Sequence, residues 1–159
     1  MNLERGGFYT KNDRYRDARL NAMLDAYSAG RTSTQDLENA AGIAMHRIAA
    51  RIGFRSEKRF KEFALNSEQI KSVMKSSIND DAYGGIDNWV SFNERLNLPT
   101  LPVQIKSSDS GVREFRKTKQ YKNLNEMVIV INCGPKVTKK KFYKQLNSET
   151  GRIRKILNK

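Results

Sequence analysis

The sequence predicts an α/β fold, a central sheet flanked by helices, and three observations carry that expectation. Met127-Val128-Ile129-Val130-Ile131 is a continuous apolar run, the pattern of a strand buried on both faces. A strand, a helix and this strand follow one another from Val103 to Ile131, a crossover that implies parallel pairing and right-handedness. Leu37, Ala41, Ala44, Met45, Ile48 and Ile52 recur at helical spacing, the stripe of a helix with one buried face.

Taken in order, Met1–Asp13 with Gly6-Gly7 reads as an arm. Leu20, Met23, Leu24 and Tyr27 mark a first helix over Tyr15–Ala29, with Gly30 at its C-terminal stop. Ser33 or Thr34 caps a second helix, Asp36 favours its first turn, and Gly53 ends it. Small residues at Ala40, Ala41, Gly42, Ala44, Ala49 and Ala50 would let that helix sit close against a sheet. Phe54–Leu65 interleaves Phe54, Phe60 and Phe63 with Arg55, Lys58, Arg59 and Lys61, and its periodicity fits a strand or a short helix. Ser67 is positioned to cap a helix carrying Ile70, Val73, Met74 and Ile78. Two short strands then occupy Gly84–Phe92 and Leu101–Ser108, joined through Asn93–Asn97 and Pro99. A turn at Asp109-Ser110-Gly111 leads to a helix over Val112–Leu124. After Gly134-Pro135, Phe142, Tyr143 and Leu146, then Ile153, Ile156 and Leu157, give two short amphipathic patterns.

With 159 residues a single domain is the expectation, divided as residues 1–32 (arm and helix), 33–134 (core) and 135–159 (a basic extension). The apolar run is far too short to span a membrane, and no signal segment opens the chain. One cysteine, Cys133, excludes an internal disulfide framework and fits a reducing, cytoplasmic compartment. One cysteine and one histidine, His46, exclude a zinc finger. Walker, Rossmann and serine-elbow motifs are missing. The formal net charge is +13, from 30 Lys and Arg against 17 Asp and Glu, so a polyanion, above all nucleic acid, is the expected partner. Residues 136–159 hold nine of the cations and one acid, Glu149. Arg113, Arg116, Lys117 and Lys119, together with Lys139, Lys140 and Lys141, are the candidate phosphate contacts.

The chemistry concentrates in Gly84-Gly85-Ile86-Asp87 and Val103-Gln104-Ile105-Lys106. Side chains alternate along a strand, so Gln104 and Lys106 share one face and Val103 and Ile105 the other. An acid entering the first strand, opposite an amide oxygen and an ammonium, can grip a divalent cation beside a phosphate. Asp80 and Asp81, just ahead of the glycine pair, are rival acids.

These residues resemble the PD-(D/E)XK nuclease superfamily, most closely its branches similar to Holliday-junction resolvases and group I intron homing endonucleases with a D…QxK site. The resemblance covers residues 33–134. It implies a restriction-endonuclease-like fold and a Mg2+-dependent DNA endonuclease, with Mn2+ as a substitute. It further implies Asp87 as the main metal ligand, the Gln104 amide and the Ile105 carbonyl as further ligands, and Lys106 as the group that positions water and meets developing charge. Glu38, on the preceding helix, matches the place of an additional acid. Double-stranded or branched DNA and a homodimer or tetramer would follow, since one site per chain must cut two strands. An amide at 104 leaves the site one negative charge short of the usual pattern, and the Gln-x-x-x-Tyr signature is missing, because Leu124 stands four residues after Gln120. A non-catalytic basic nucleic-acid-binding protein or a ribonucleoprotein subunit is the alternative that composition leaves open.

Overall fold

The computed structural model describes the backbone of residues 11–159 and the side chains of 15–81 and 84–159. The first ten residues of the expected arm lie outside it. The chain forms two compact units, Met1–Arg51 and Ile52–Lys159, whose boundary falls inside one long helix.

In the first unit α1 (Lys11–Ser28) and the beginning of α2 (Thr34–Leu65) are joined through Gly30, whose φ of 80° requires a residue without a side chain. Ser33 accepts from the Asp36 amide at 3.1 Å and starts α2. Gly53 does not end it: α2 runs 32 residues, to Leu65. A lone helical glycine costs about 1 kcal/mol, and the Arg, Glu and Lys that follow are good helix formers. Of the small residues expected to approach a sheet, only Ala41 is buried, and Ala49 and Ala50 are exposed.

The second unit holds a four-stranded mixed sheet in the order β1-β2-β3-β4, with β1 (Ile70–Lys75), β2 (Asn88–Phe92), β3 (Leu101–Lys106) and β4 (Ile129–Asn132). β1 replaces the helix expected after Ser67. Its apolar spacing suits either period, and antiparallel pairing with β2 selects the strand. α3 (Ile78–Gly84) follows, with a Ser77/Asp80 capping box. β2 and β3 are antiparallel, and β3 and β4 are parallel, as the crossover demands.

That crossover contains two helices rather than one, α4 (Asp109–Arg116) and α5 (Lys119–Asn123). Asp109–Gly111, expected as a turn, is the first turn of α4, capped by Ser108. The Thr118 hydroxyl donates to the Phe115 carbonyl at 2.6 Å and accepts from the Tyr121 amide at 3.2 Å, so it closes α4 and opens α5. The two C-terminal patterns merge into one helix, α6 (Lys139–Leu157).

Both faces of the sheet are covered. Phe60, Phe63 and Ala64 of α2 join Phe142, Leu146 and Ile153 of α6 against Val103, Ile105, Ile129 and Ile131. Phe115 and Tyr121 cover Val128 and Val130 on the other face. All four residues of β4 are buried, and α6 satisfies its outer edge with side chains. Glu149 accepts from the Val130 amide at 3.1 Å and Gln145 from the Asn132 amide at 3.0 Å. Arg152 donates to the Val128 carbonyl at 2.8 Å. Such capping removes a free edge that would otherwise template strand addition. Among the described residues no helix is long and apolar enough to cross a membrane.

Candidate functional site

Asp87 is fixed in the residue before β2. Its amide donates to the Val103 carbonyl at 2.9 Å and its carbonyl accepts from the Ser76 amide at 3.3 Å; the Ser76 hydroxyl adds a bond at 3.0 Å. The carboxylate is buried, and one of its oxygens takes two donors, the Ile105 amide at 2.5 Å and Gln104 Nε2 at 2.7 Å. The alternation of β3 thus delivers Gln104 and Lys106 to the same side as Asp87, the side also faced by Phe115. Lys106 Nζ lies 4.9 Å from the centre of the Phe115 ring.

Gly85 makes the close approach possible. It takes a φ of 62° as the C-cap of α3, and a Cβ there would lie 3.1 Å from Gln104 Oε1, 3.1 Å from Phe115 and 3.2 Å from Gln120 Oε1. Gln120 therefore reaches this site from α5, although no local signature singled it out. At the other end of β3, a Cβ on Gly134 would meet the Ser107 carbonyl oxygen at 2.1 Å, so only glycine fits there.

Burial pushes the Asp87 pKa up to about 6; the Ile105 amide opposes this, the charge of Glu57 adds to it, Lys106 lowers it, and Asp81 raises it. Burial likewise pushes the Lys106 ammonium below its ordinary range, against the pull of Asp87 and Asp81. Glu57 is the acid that reading Gly53 as a helix stop hid. It stands on the continued α2, bonds Lys75, and through that bond raises the Lys75 pKa. Asp87, Glu57, Asp81, Lys75 and Lys106 are one electrostatic cluster.

Glu38 lies in the first unit, ion-paired with Arg19 at 2.7 Å. Asp80 is spent on its helix cap and on Trp89 Nε1 at 3.4 Å. Asp81 is exposed. His46 is exposed, and Cys133 is buried, its thiol pushed up to about 12 by burial. Among the basic candidates, Arg116 is bound to buried Glu149 at 2.7 Å, Lys117 to Glu114 at 2.9 Å and Lys141 to Asp109 at 3.1 Å. Arg113, Lys119, Lys139 and Lys140 are exposed. A shallow groove of 540 Å³ lined by Glu68, Lys71 and Arg95 sits at the opposite end of β1 and β2 and shares no residue with this cluster.

Among the described residues no three His, Cys, Asp or Glu side chains converge on one point. A cation here would draw on neutral oxygens as well as on Asp87. The donor types present, carboxylate, amide oxygen and backbone carbonyl, are those of a hard divalent ion, and a buried carboxylate with a raised pKa gains from a nearby cation. Gln104 turns its Nε2, a donor, toward Asp87 at 2.7 Å and toward the Ile105 carbonyl at 3.4 Å, so its oxygen would join Asp87 at such an ion only after the amide turns over.

Comparison with known proteins finds no matching family model, no matching curated protein and no matching solved structure.

The Asp87 shift has a stability consequence. The folded protein keeps the Asp87 proton up to about pH 6, whereas the unfolded chain releases it near pH 4. Between those values the folded state binds more protons, so stability falls as pH rises from about 4 to about 6 and stays at the lower level above. Asp87→Asn, which removes the buried charge, should match wild type near pH 4 and exceed it at neutral pH by on the order of 2 kcal/mol. Urea unfolding at both pH values measures this; a variant less stable than wild type at neutral pH would show that the charge is compensated in the metal-free protein.

Proposed function

We propose that the second unit is a divalent-metal-dependent DNA endonuclease with a restriction-endonuclease-like sheet, hydrolysing phosphodiester bonds in double-stranded or branched DNA. The observation that carries this reading is the bonding of the buried Asp87 carboxylate to Gln104 and to the Ile105 backbone on the adjoining strand, with the charge of Lys106 felt at the same carboxylate. Bound Mg2+, or Mn2+ in its place, would supply a more acidic water and neutralise charge on the phosphate.

The chain's own residues do the rest. Asp87 would anchor the cation, with the Ile105 carbonyl as a neutral ligand and Gln104 Oε1 as another once the amide turns over from its bond to Asp87. Lys106, whose Nζ lies over the Phe115 ring, would orient the attacking water and meet the negative charge that grows on the phosphate. Glu57 would take the place of the additional helix acid, since its charge reaches Asp87 even though it also pairs with Lys75. Lys75 balances Glu57 and adds positive charge at the substrate's side.

One observation favours the alternative, a nucleic-acid-binding protein without catalysis: Asp87 already accepts from two protein donors, which suffices to tie β2 to β3. Nicking of supercoiled plasmid separates the two. Wild type should cut with Mg2+ or Mn2+ and stop in excess chelator, Lys106→Ala and Glu57→Gln should each lose at least about tenfold in rate, and Gln104→Glu should cut at lower metal concentration while losing stability in chelator. A rate untouched by chelator, or by Lys106→Ala, would remove the nuclease reading.

The exposed lysines that open α6 give a second test. Lys139 and Lys140 sit in its first turn, where the helix dipole disfavours positive charge. Replacing both with alanine should raise stability by about a few tenths of a kcal/mol, weaken DNA binding for all sequences alike, and flatten the salt dependence by roughly one unit of slope per lysine in contact. An unchanged salt slope would mean that this turn does not meet phosphate.

A further inference from the structure

The second unit carries nearly all of the excess charge: residues 52–159 hold 22 Lys and Arg against 11 Asp and Glu. Several of those acids are spent on cations elsewhere, Glu57 on Lys75, Asp109 on Lys141, and Glu149 on Arg116 and Arg152. Residues 133–148 hold five lysines and no acid. Exposed Lys136, Lys139 and Lys140 belong to that stretch, and exposed Arg55 and Lys58 stand on α2. Among the described residues none of these five is ion-paired, even with exposed Glu62, four residues after Lys58.

The fold brings the two groups together. Arg59 donates to the Val137 carbonyl, and the Tyr143 hydroxyl donates to the Asn66 carbonyl at 3.1 Å, so the start of α6 runs alongside the last turns of α2. Residues three and four apart share a helix face. Arg55 therefore shares the face of Arg59, with Lys58 three residues from it, and Lys139 and Lys140 share the face of Tyr143. Lys136 directly precedes Val137. Lys141 turns the other way, to Asp109 at 3.1 Å. Phe60, Phe63 and Phe142 direct the apolar stripes of both helices to the sheet, so the seam between them shows charge outward. A lipid surface takes an amphipathic helix by its apolar stripe, which here is already used. Like charges side by side repel, and a seam that keeps them without acids is complementary to a polyanion. β3 and β4 end together at Lys106 and Asn132, so the lysines that follow β4 start from the end of the sheet that holds the Asp87 cluster.

We propose that Arg55 and Lys58 of α2, with Lys136, Lys139 and Lys140 at the start of α6, form one docking surface for the phosphate backbone of duplex DNA. The choice of DNA over RNA rests on the nuclease reading; the surface itself does not.

The test is binding of a labelled DNA duplex to the whole chain, in excess chelator so that no strand is cut, followed by fluorescence anisotropy over a range of salt. Each cation in contact contributes about 0.9 to the slope of log K against log salt. Arg55→Gln/Lys58→Gln should flatten that slope by roughly two, and adding Lys136→Gln by roughly one more. Lys155→Gln/Lys159→Gln removes the same charge at the other end of α6, from exposed positions, and should leave the slope within about half of one contact. Glutamine is nearly as good a helix former as lysine or arginine, and urea unfolding checks that each variant folds; should the α2 pair fail to fold, Arg55→Gln and Lys58→Gln alone should each flatten the slope by about one. An unchanged slope in the α2 variants overturns the proposal. So does an equal loss in Lys155→Gln/Lys159→Gln, which would assign the effect to net charge. An RNA duplex of the same sequence, or phosphatidylserine vesicles, bound as tightly as DNA would overturn the choice of partner. DNA held through this seam but never cut with Mg2+ would sink the nuclease reading and leave the surface standing.

Discussion

The Asp87 carboxylate is buried at the junction of β2 and β3 with its charge only partly compensated, and much of the second unit is arranged around it. The Ile105 amide and the Gln104 amide group hold one oxygen, Ser76 and Val103 hold the backbone, and Lys106 stands close enough to lower its pKa. Two hydrogen bonds stabilise a carboxylate only partly when it is removed from water; hence the pKa of about 6. The amide at position 104 fits that situation. A carboxylate there would add a second negative charge beside the first and forfeit a donor, whereas glutamine donates to Asp87 and keeps an oxygen for another partner.

Rigidity around this point comes from apolar packing on both faces of the sheet and from the way α6 finishes its edge. Glu149 accepts from the Val130 amide and from Arg116 and Arg152, so a buried acid is satisfied by a strand edge and by two guanidiniums. Gln145 exchanges hydrogen bonds with both the amide and the carbonyl of Asn132, as a neighbouring strand would. β4 therefore stays in register with β3, and β3 presents Gln104 and Lys106 at fixed height.

The residues of β2, β3 and β4 announced themselves because their pattern has one reading. Strict alternation in Val103–Lys106 placed Gln104 and Lys106 on a common face, and an unbroken apolar run required burial of β4 on both sides. Elsewhere two readings competed. Ile70, Val73 and Met74 satisfy a helix as well as a strand, and only the partner strand decides. Gly53 resembles a stop, yet its cost of about 1 kcal/mol is small beside the packing of Phe60 and Phe63 further along α2. That single misreading hid Glu57, which joins the Asp87 cluster only if the helix continues. Gln120 was hidden for a different reason: Thr118 breaks the crossover helix by hydrogen bonding to its own backbone, and the break sets where α5 places its side chains.

The central claim is that Asp87 and its neighbours hold a divalent cation. Calorimetric titration with Mn2+ in the absence of DNA addresses it without relying on catalysis. One site per chain is expected at a pH well above 6, weaker binding at about pH 5, where Asp87 retains its proton, and none in Asp87→Asn. Equal Mn2+ binding by wild type and Asp87→Asn would contradict the account.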